Sequence, residues 1–398
     1  MRCKLRDFVA LNQKSYTAKL GWKYLYYLDT GNITKNVVDS YQKFSIPDKA
    51  IPSRAKRLVK NGTIIYSTVR PNQLHYGLLE NIPNNLLVST GFTTIDVNPK
   101  FADERYVFYF LTQESITKSL HALAEQSVST YPSIKADDIG DIEIDLPPLE
   151  TQKKISKLVS SIDEKITINN EINDNLLNQI DSHFRELYID FEQNNGRIPD
   201  NFRYGILDEL SKEIICGKTP STKNESYYGG NIPFITIPDM HDKVYVIKTE
   251  RYLSEEGANS QIKKFLPRNS ICVSCIGTAG LVALVNESSH TNQQINSIIP
   301  KENISPYYVY SLMKTLKDKI ISLGQCGSTI VNLNKVQFSK LEVLIPTEQS
   351  MSEFDQRVKP MFEQINLLQI ENEKLSYLRD SLLPKLMSGE IDVDSIEL

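Results

Sequence analysis

The chain lacks any apolar run approaching the roughly 18 residues that a membrane-spanning helix needs, so none is expected. Its first residues, Met1-Arg2-Cys3-Lys4-Leu5-Arg6-Asp7, are charged and carry no apolar stretch, so no secretory signal is expected either. The 5 cysteines follow no disulfide framework. Disulfides are rare in a reducing compartment, so the expected location is the cytoplasm.

Catalytic motifs are also missing. Gly217-Lys218-Thr219 resembles the end of a phosphate-binding loop, but Lys212 stands where the first glycine is required and Pro220 where the helix should open. Cys272 and Cys275 have ligand spacing without a second pair, and their place in an apolar strand reads as buried thiols. Histidines 75, 121, 183, 241 and 290 are scattered and form no catalytic or metal pattern. A metal-dependent nuclease needs clustered carboxylates beside a lysine. Pro47-Asp48, Pro199-Asp200 and Pro238-Asp239 are isolated starts, and Asp163-Glu164-Lys165 reads as a solvated helix face. No glycine-rich S-adenosylmethionine loop follows a strand, and no Asn-Pro-Pro-Tyr-like tetrad occurs. The expectation is a chain that catalyses nothing itself and binds no cofactor or metal.

Positive net charge is lacking as well: the formal value is −4. It is unevenly spread. Residues 150–192 carry net −4 and residues 348–398 net −6, which leaves +6 for the two remaining regions together. The overall balance therefore does not argue against nucleic acid.

What is present is a repeat. Ile155, Val159, Ile162, Ile166, Asn169, Asn173, Leu176, Ile180 and Leu187 fall on one 4-3 seam. Phe354, Val358, Met361, Ile365, Leu368, Asn372, Leu375, Arg379 and Leu386 form another seam 199 residues later, half the chain length of 398. A spacing near 3.5 residues over several heptads predicts coiled-coil helices. The prolines Pro147-Pro148 and Pro346 close the strand patterns 141–146 and 341–345, which come immediately before each helix.

The globular parts read as mixed α/β. The runs 63–67, 86–89 and 91–97 predict strands in the first, and 270–274 and 281–285 in the second. Residues 103–121 and 306–323 predict one helix each, and the polar stretch 192–199 predicts a linker. The 199-residue offset holds for Ser129-Thr130 against Ser328-Thr329 and for Ile134 against Leu333, but drifts upstream. The duplicated helices either brace a two-domain protein or hold two reading heads in a pseudo-two-fold, as symmetric dimers do on DNA.

Polar loops supply candidate DNA contacts, since Arg, Asn, Gln, Thr and Tyr suit phosphates and base edges. In the first part these are Arg54, Lys56, Arg57, Arg70, Asn72, Gln73 and His75, of which 54–60 also fits a charged helix face. In the second they are Thr219, Ser221, Thr222, Lys223, Asn224, Tyr227, Thr278, Asn292 and Gln293. Turns use the same residue types, so the loops alone leave both readings open.

Taken together these stretches resemble the specificity subunit of type I restriction–modification systems over nearly the whole chain. Gly217-Lys218-Thr219-Pro220-Ser221 through Tyr227-Tyr228-Gly229-Gly230-Asn231-Ile232-Pro233-Phe234-Ile235-Thr236 is similar to that family's domain opening. Ser274-Cys275-Ile276-Gly277-Thr278-Ala279-Gly280 and Thr291-Asn292-Gln293-Gln294-Ile295-Asn296 resemble its central strands. Gly327-Ser328-Thr329, 131–139, the Pro147-Pro148-Leu149-Glu150-Thr151-Gln152 helix start and 378–391 also fit. The first part departs, with no Gly-Lys-Thr-Pro-Ser opening. Its 52–57 and 66–75 resemble a different variety of recognition domain.

The resemblance implies an α+β fold with an internal pseudo-two-fold repeat: target-recognition domains over 1–148 and 200–347, at opposite ends of an antiparallel coiled coil. Its spacer helices would cover 149–192 and 348–398, with a linker at 193–199. It also implies a split double-stranded DNA target with two unlike half-sites, the paired helices setting the unread gap. Partners would be two modification subunits that methylate adenine with S-adenosylmethionine, and restriction subunits that use ATP and magnesium. This chain would supply address and scaffold. The rival expectations are a stand-alone two-headed DNA-binding protein and a coiled-coil scaffold with no DNA role.

Overall fold

The computed structural model describes residues 2–47, 50–126, 132–191, 196–325 and 331–396. Ser129-Thr130 and 327–329, together with residues 193–195 of the expected linker, lie outside them, as does Asp48. The chain forms two compact units, Met1–Asp163 with Tyr377–Leu398, and Glu164–Ser376. The two long helices, Leu149–Tyr188 and Glu348–Ser388, each contribute a segment to both.

In the first unit one four-stranded sheet runs in the order Val9–Leu11, Phe92–Val97, Ile64–Ser67, Tyr76–Leu78. Ile64, Tyr66, Ile95, Val107, Leu111 and Leu120 meet in its core with Ile155 and Val159 of the long helix. The second four-stranded sheet is Gln42–Ser45, Tyr24–Leu28, Leu86–Ser89, Ala55–Leu58. The short strand Arg2–Lys4 pairs antiparallel with Glu143–Asp145 just before the long helix.

The second unit repeats most of this plan, its second sheet having three strands in the order Tyr252–Leu253, Tyr228–Ile235, His290–Thr291. In its first sheet Ser211–Cys216, Ile295–Pro300, Ile271–Ser274 and Val282–Val285 stand in the same order, with Tyr245–Val246 added. The register matches too. Phe92 faces Ser67 as Ile295 faces Ser274, and Ile95 faces Leu11 as Ile298 faces Ile214. A parallel pair also recurs: Tyr27 beside Leu87 in the first unit corresponds to Phe234 beside His290 in the second. Arg203–Ile206 pairs with Glu342–Ile345 as Arg2–Lys4 does with Glu143–Asp145. The two halves therefore share two sheets, far more than their drifting numbering shows.

Two expected helices are each broken in two. Residues 103–121 give Glu104–Leu111 and Glu114–Glu125, because Thr112 turns its hydroxyl back onto the carbonyls of Phe108 (3.0 Å) and Tyr109 (3.3 Å). Residues 306–323 give Pro306–Thr315 and Lys317–Gly324, with Thr315 bonding back to Leu312 O at 2.7 Å. The stretch 54–60, open to a helical reading, holds the edge strand Ala55–Leu58.

The start of the first long helix is tied to its domain by Gln152, which is fully buried. Its amide donates to Pro147 O (2.8 Å) and Phe101 O (3.3 Å), and its oxygen accepts from Asp103 N–H at 3.0 Å. Within each unit the long helices run antiparallel. In the second, Asn169 donates to Asn372 (2.8 Å) and Glu371 (2.7 Å), Phe184 packs on Phe354, and the Tyr188 hydroxyl donates to Ser350 O at 2.8 Å. In the first, Arg379 donates to Asp163 at 2.7 Å, and the Tyr109 hydroxyl donates to the other oxygen of that carboxylate at 2.8 Å.

On the seam, Ile155, Val159, Ile162, Ile180, Phe354, Val358, Ile365 and Leu368 are buried, while Ile166, Leu176, Met361 and Leu375 are half-buried. Much of their cover is not the opposite helix. Ile155 and Val159 enter the first domain's core; Ile180, Phe354, Val358 and Ile365 enter the second's. Leu158, Phe184, Tyr188 and Phe362 lie off the expected seam and are buried just as fully. A heptad pattern records which positions are apolar, not what covers them.

Candidate nucleic-acid interface

The shared sheet presents equivalent loops at one end in each domain. In the first, Thr68 follows strand Ile64–Ser67 and donates both its N–H and its hydroxyl to Gly91 O at 2.9 Å. Ile134 N–H donates to Thr68 O and Arg70 N–H to Pro132 O, both at 2.9 Å. In the second, Leu333 N–H donates to Cys275 O at 3.0 Å and Gly277 N–H to Val331 O at 3.1 Å. The bridges Val69–Ser133 and Ile276–Asn332 complete the match. Arg70 and Gly277 thus occupy the same place in the two domains.

In the first domain this end gathers most of the candidate residues. Thr90 N–H donates to Arg54 O (2.9 Å), and Ser15 bridges to Arg57 on the edge strand. Arg54 and Lys56 are exposed, and Arg57 is half-buried with its Nε enclosed and unbonded. Asn72 and Gln73 are exposed on the turn Pro71–Gln73. Both flanks of that turn are left-handed, Arg70 at φ 47° and Leu74 at φ 59°. Each such residue costs about 1–2 kcal/mol when it is not glycine. Arg70 pays this cost where its counterpart is Gly277 at φ 75°. His75 is committed locally, with Nδ1 at 2.7 Å from Ile33 O and 3.3 Å from Thr34 Oγ1.

In the second domain three loops converge. Gly217 N–H donates to Ile295 O (3.1 Å), Lys218 N–H to Thr291 O (3.0 Å), and the Thr219 hydroxyl to Gln293 Oε1 at 2.7 Å. Cys275 N–H donates to Gln294 O at 2.8 Å, which brings exposed Thr278 beside the same loops. A Cβ on Gly217 would lie 2.1 Å from Asn292 O. The Gly-Lys-Thr run is therefore a close backbone crossing rather than a phosphate cradle.

Ser221, Thr222 and Lys223 are exposed, and Gln293 is exposed with only its oxygen engaged by Thr219. Three other candidates shape loops. Asn224 accepts from Ser226 N–H and the Ser226 hydroxyl at 3.2 and 2.8 Å. Asn292 accepts from Gln294 N–H and donates to Gln294 Oε1, both at 3.0 Å. Tyr227 is half-buried, its carbonyl accepting from Ser254 N–H at 3.0 Å. Sequence reasoning passed over Lys14, Thr68 and Thr90, which the fold places at the same end. Only the unexpected match of sheet register locates them.

Among the described residues, Arg54, Lys56, Arg57, Lys218 and Lys223 form no ion pair with a carboxylate. On the long helices, by contrast, Lys165 pairs with Glu371, Arg379 with Asp163 and Lys153 with Glu150. Cations left uncompensated at the loop ends suit a polyanion, and their attraction is screened by salt.

Other chemistry finds no support in these loops. Burial pushes the Cys272 and Cys275 thiols up to about 12, and the two side chains enter different cores. Asp239 accepts from Thr236 N–H (2.7 Å) and Glu250 N–H (2.8 Å), which makes it a turn-forming residue. Among the described residues no group of three or more His, Cys, Asp or Glu could hold a metal, and no helix is long and apolar enough to cross a membrane.

Comparison with known proteins gives a concordant result. The family described as Type I restriction modification DNA specificity domain matches residues 3–178 and again 199–376. The chain is 33% identical to the type I restriction enzyme HindI specificity subunit of Haemophilus influenzae, across 92% of this chain and 94% of that one. It is 26% identical to the MjaIX specificity subunit of Methanocaldococcus jannaschii, across 88% and 83%. The crystal structure of the type I restriction–modification S subunit from M. genitalium has the same fold, with a TM-score of 0.59 at 16% identity, covering 97% of this chain and 95% of that one.

Proposed function

The chain belongs to the type I restriction–modification DNA specificity family, whose role is recognition rather than catalysis, and we propose that it reads a split, asymmetric DNA target. Each domain contacts one half-site through the loops around Arg54–Arg70 or Thr219–Gln293, and the long helices fix the gap between them. The observation that carries this reading is the pair of sheets matched in register but carrying unlike loops. A shared frame docks both domains on the duplex alike, while loop differences make the half-sites differ.

Two modification subunits dock on this chain in the cytoplasm and methylate adenine with S-adenosylmethionine. Restriction subunits using ATP and magnesium join them. This chain holds no cofactor of its own.

Co-expression with the native modification subunit tests the proposal. The expected product is a stable complex with one copy of this chain that methylates adenine only at specific sites. A chain that stays alone and binds one site tightly would favour a two-headed regulator. A complex indifferent to DNA sequence would favour a scaffold.

A further inference from the structure

We propose that Arg70 reads a guanine in the first domain's half-site, from a position that the second domain fills with Gly277. The inference deepens the proposed function and rests on that reading.

Arg70 and Gly277 hold equivalent places, each donating its N–H to the segment that precedes the long helix, at 2.9 Å to Pro132 O and 3.1 Å to Val331 O. Both are left-handed. In the second domain this place is roomy, since a Cβ on Gly277 would have only Gln294 Nε2 within 4 Å, at 3.9 Å. The domains thus keep one backbone geometry and differ in whether a guanidinium projects from it.

The first domain also fixes the base of that side chain more firmly than a phosphate contact requires. Gln73 N–H donates to Arg70 O at 2.9 Å, Leu74 N–H to Pro71 O at 3.1 Å, and the Pro71 ring is buried. Thr68, two residues earlier, is held to Gly91 by two hydrogen bonds. A left-handed arginine persists only where its surroundings over-determine it. A side chain must start from a rigid base to discriminate bases, whereas phosphate contacts tolerate slack. The planar arginine fork matches O6 and N7 of guanine in the major groove, whereas lysine reaches them from a single ammonium without that fixed geometry. Arg54 and Lys56 lie exposed beside the same end and suit phosphate.

The test compares wild type, Arg70→Gly and Arg70→Lys, each co-expressed with the native modification subunit, by mapping methylated adenine and measuring DNA affinity against salt. Glycine suits the left-handed backbone, so Arg70→Gly keeps the fold. The expected result is a motif degenerate at one G·C pair of one half-site, with discrimination there reduced on the order of tenfold to a hundredfold. The other half-site should be unchanged and Arg70→Lys intermediate. An unchanged motif bound more weakly, with a salt slope shallower by about one, would make Arg70 a phosphate contact and overturn the inference. Unchanged motif and affinity would remove Arg70 from the interface and overturn it too. If wild type itself yields no split motif, the proposed function fails first.

Discussion

His290 shows how a residue type associated with chemistry can serve packing instead. It is fully buried against the Phe265 ring, at 4.2 Å between centroids, and neither ring nitrogen has a partner. Burial lowers its pKa to about 4 from 6.5. The neutral form is therefore favoured in the folded state, while the unfolded chain takes up a proton below about 6.5. Stability should be unaffected by this group at higher pH, then fall by up to roughly 1.4 kcal/mol per pH unit between 6.5 and 4. Denaturant unfolding of wild type and His290→Phe across this range measures it. The variant should lose about one proton from the slope, and identical slopes would contradict the assignment. His75, Asn224 and Asn292 teach the same lesson, since their polar atoms are largely taken up by nearby turns. The sequence made these loops visible, but polar side chains that form turns and those that contact DNA are the same types.

At the level of elements, the strands around 64–67, 86–89 and 271–274 and both long helices were legible because their patterns are local. The sheet equivalence was not. Unequal loops shift the numbering offset from 199 at the helices to 203 for Phe92 and Ile295 and 207 for Ser67 and Ser274. The breaks near Thr112 and Leu316 were also hidden, because a side-chain bond to the backbone leaves no mark on apolar spacing. The helix pair itself carries a polar device. Asn169 is fully buried, donates to Asn372 and Glu371, and leaves its own oxygen unbonded. Buried asparagines at such seams fix register at a cost in stability. Asn169→Leu alone should destabilise the protein by about 1–3 kcal/mol, because it leaves the half-buried Asn372 oxygen without its donor and Glu371 with Lys165 alone. Adding Asn372→Leu should recover most of that loss or exceed wild type. Thermal unfolding of the two variants decides it; a double variant weaker than the single would contradict a register role.

For the whole molecule, charge and repetition have one explanation. The net charge of −4 conceals acidic helices on which Lys153, Lys165 and Arg379 are paired, and domain loops where, among the described residues, Arg54, Lys56, Arg57, Lys218 and Lys223 form no ion pair with a carboxylate. On the proposed reading the loops supply the attraction to a polyanion, and affinity should fall steeply with salt. Two sheets in common register carry unlike loops, as two readers of different sequences require. The most direct test is a genome-wide map of methylated adenine in cells with and without this gene, its modification subunit being present in both. A split motif of two unlike parts separated by a fixed unread gap, lost when the gene is removed, is the predicted result. A continuous or palindromic motif, or a map indifferent to the gene, would contradict the account.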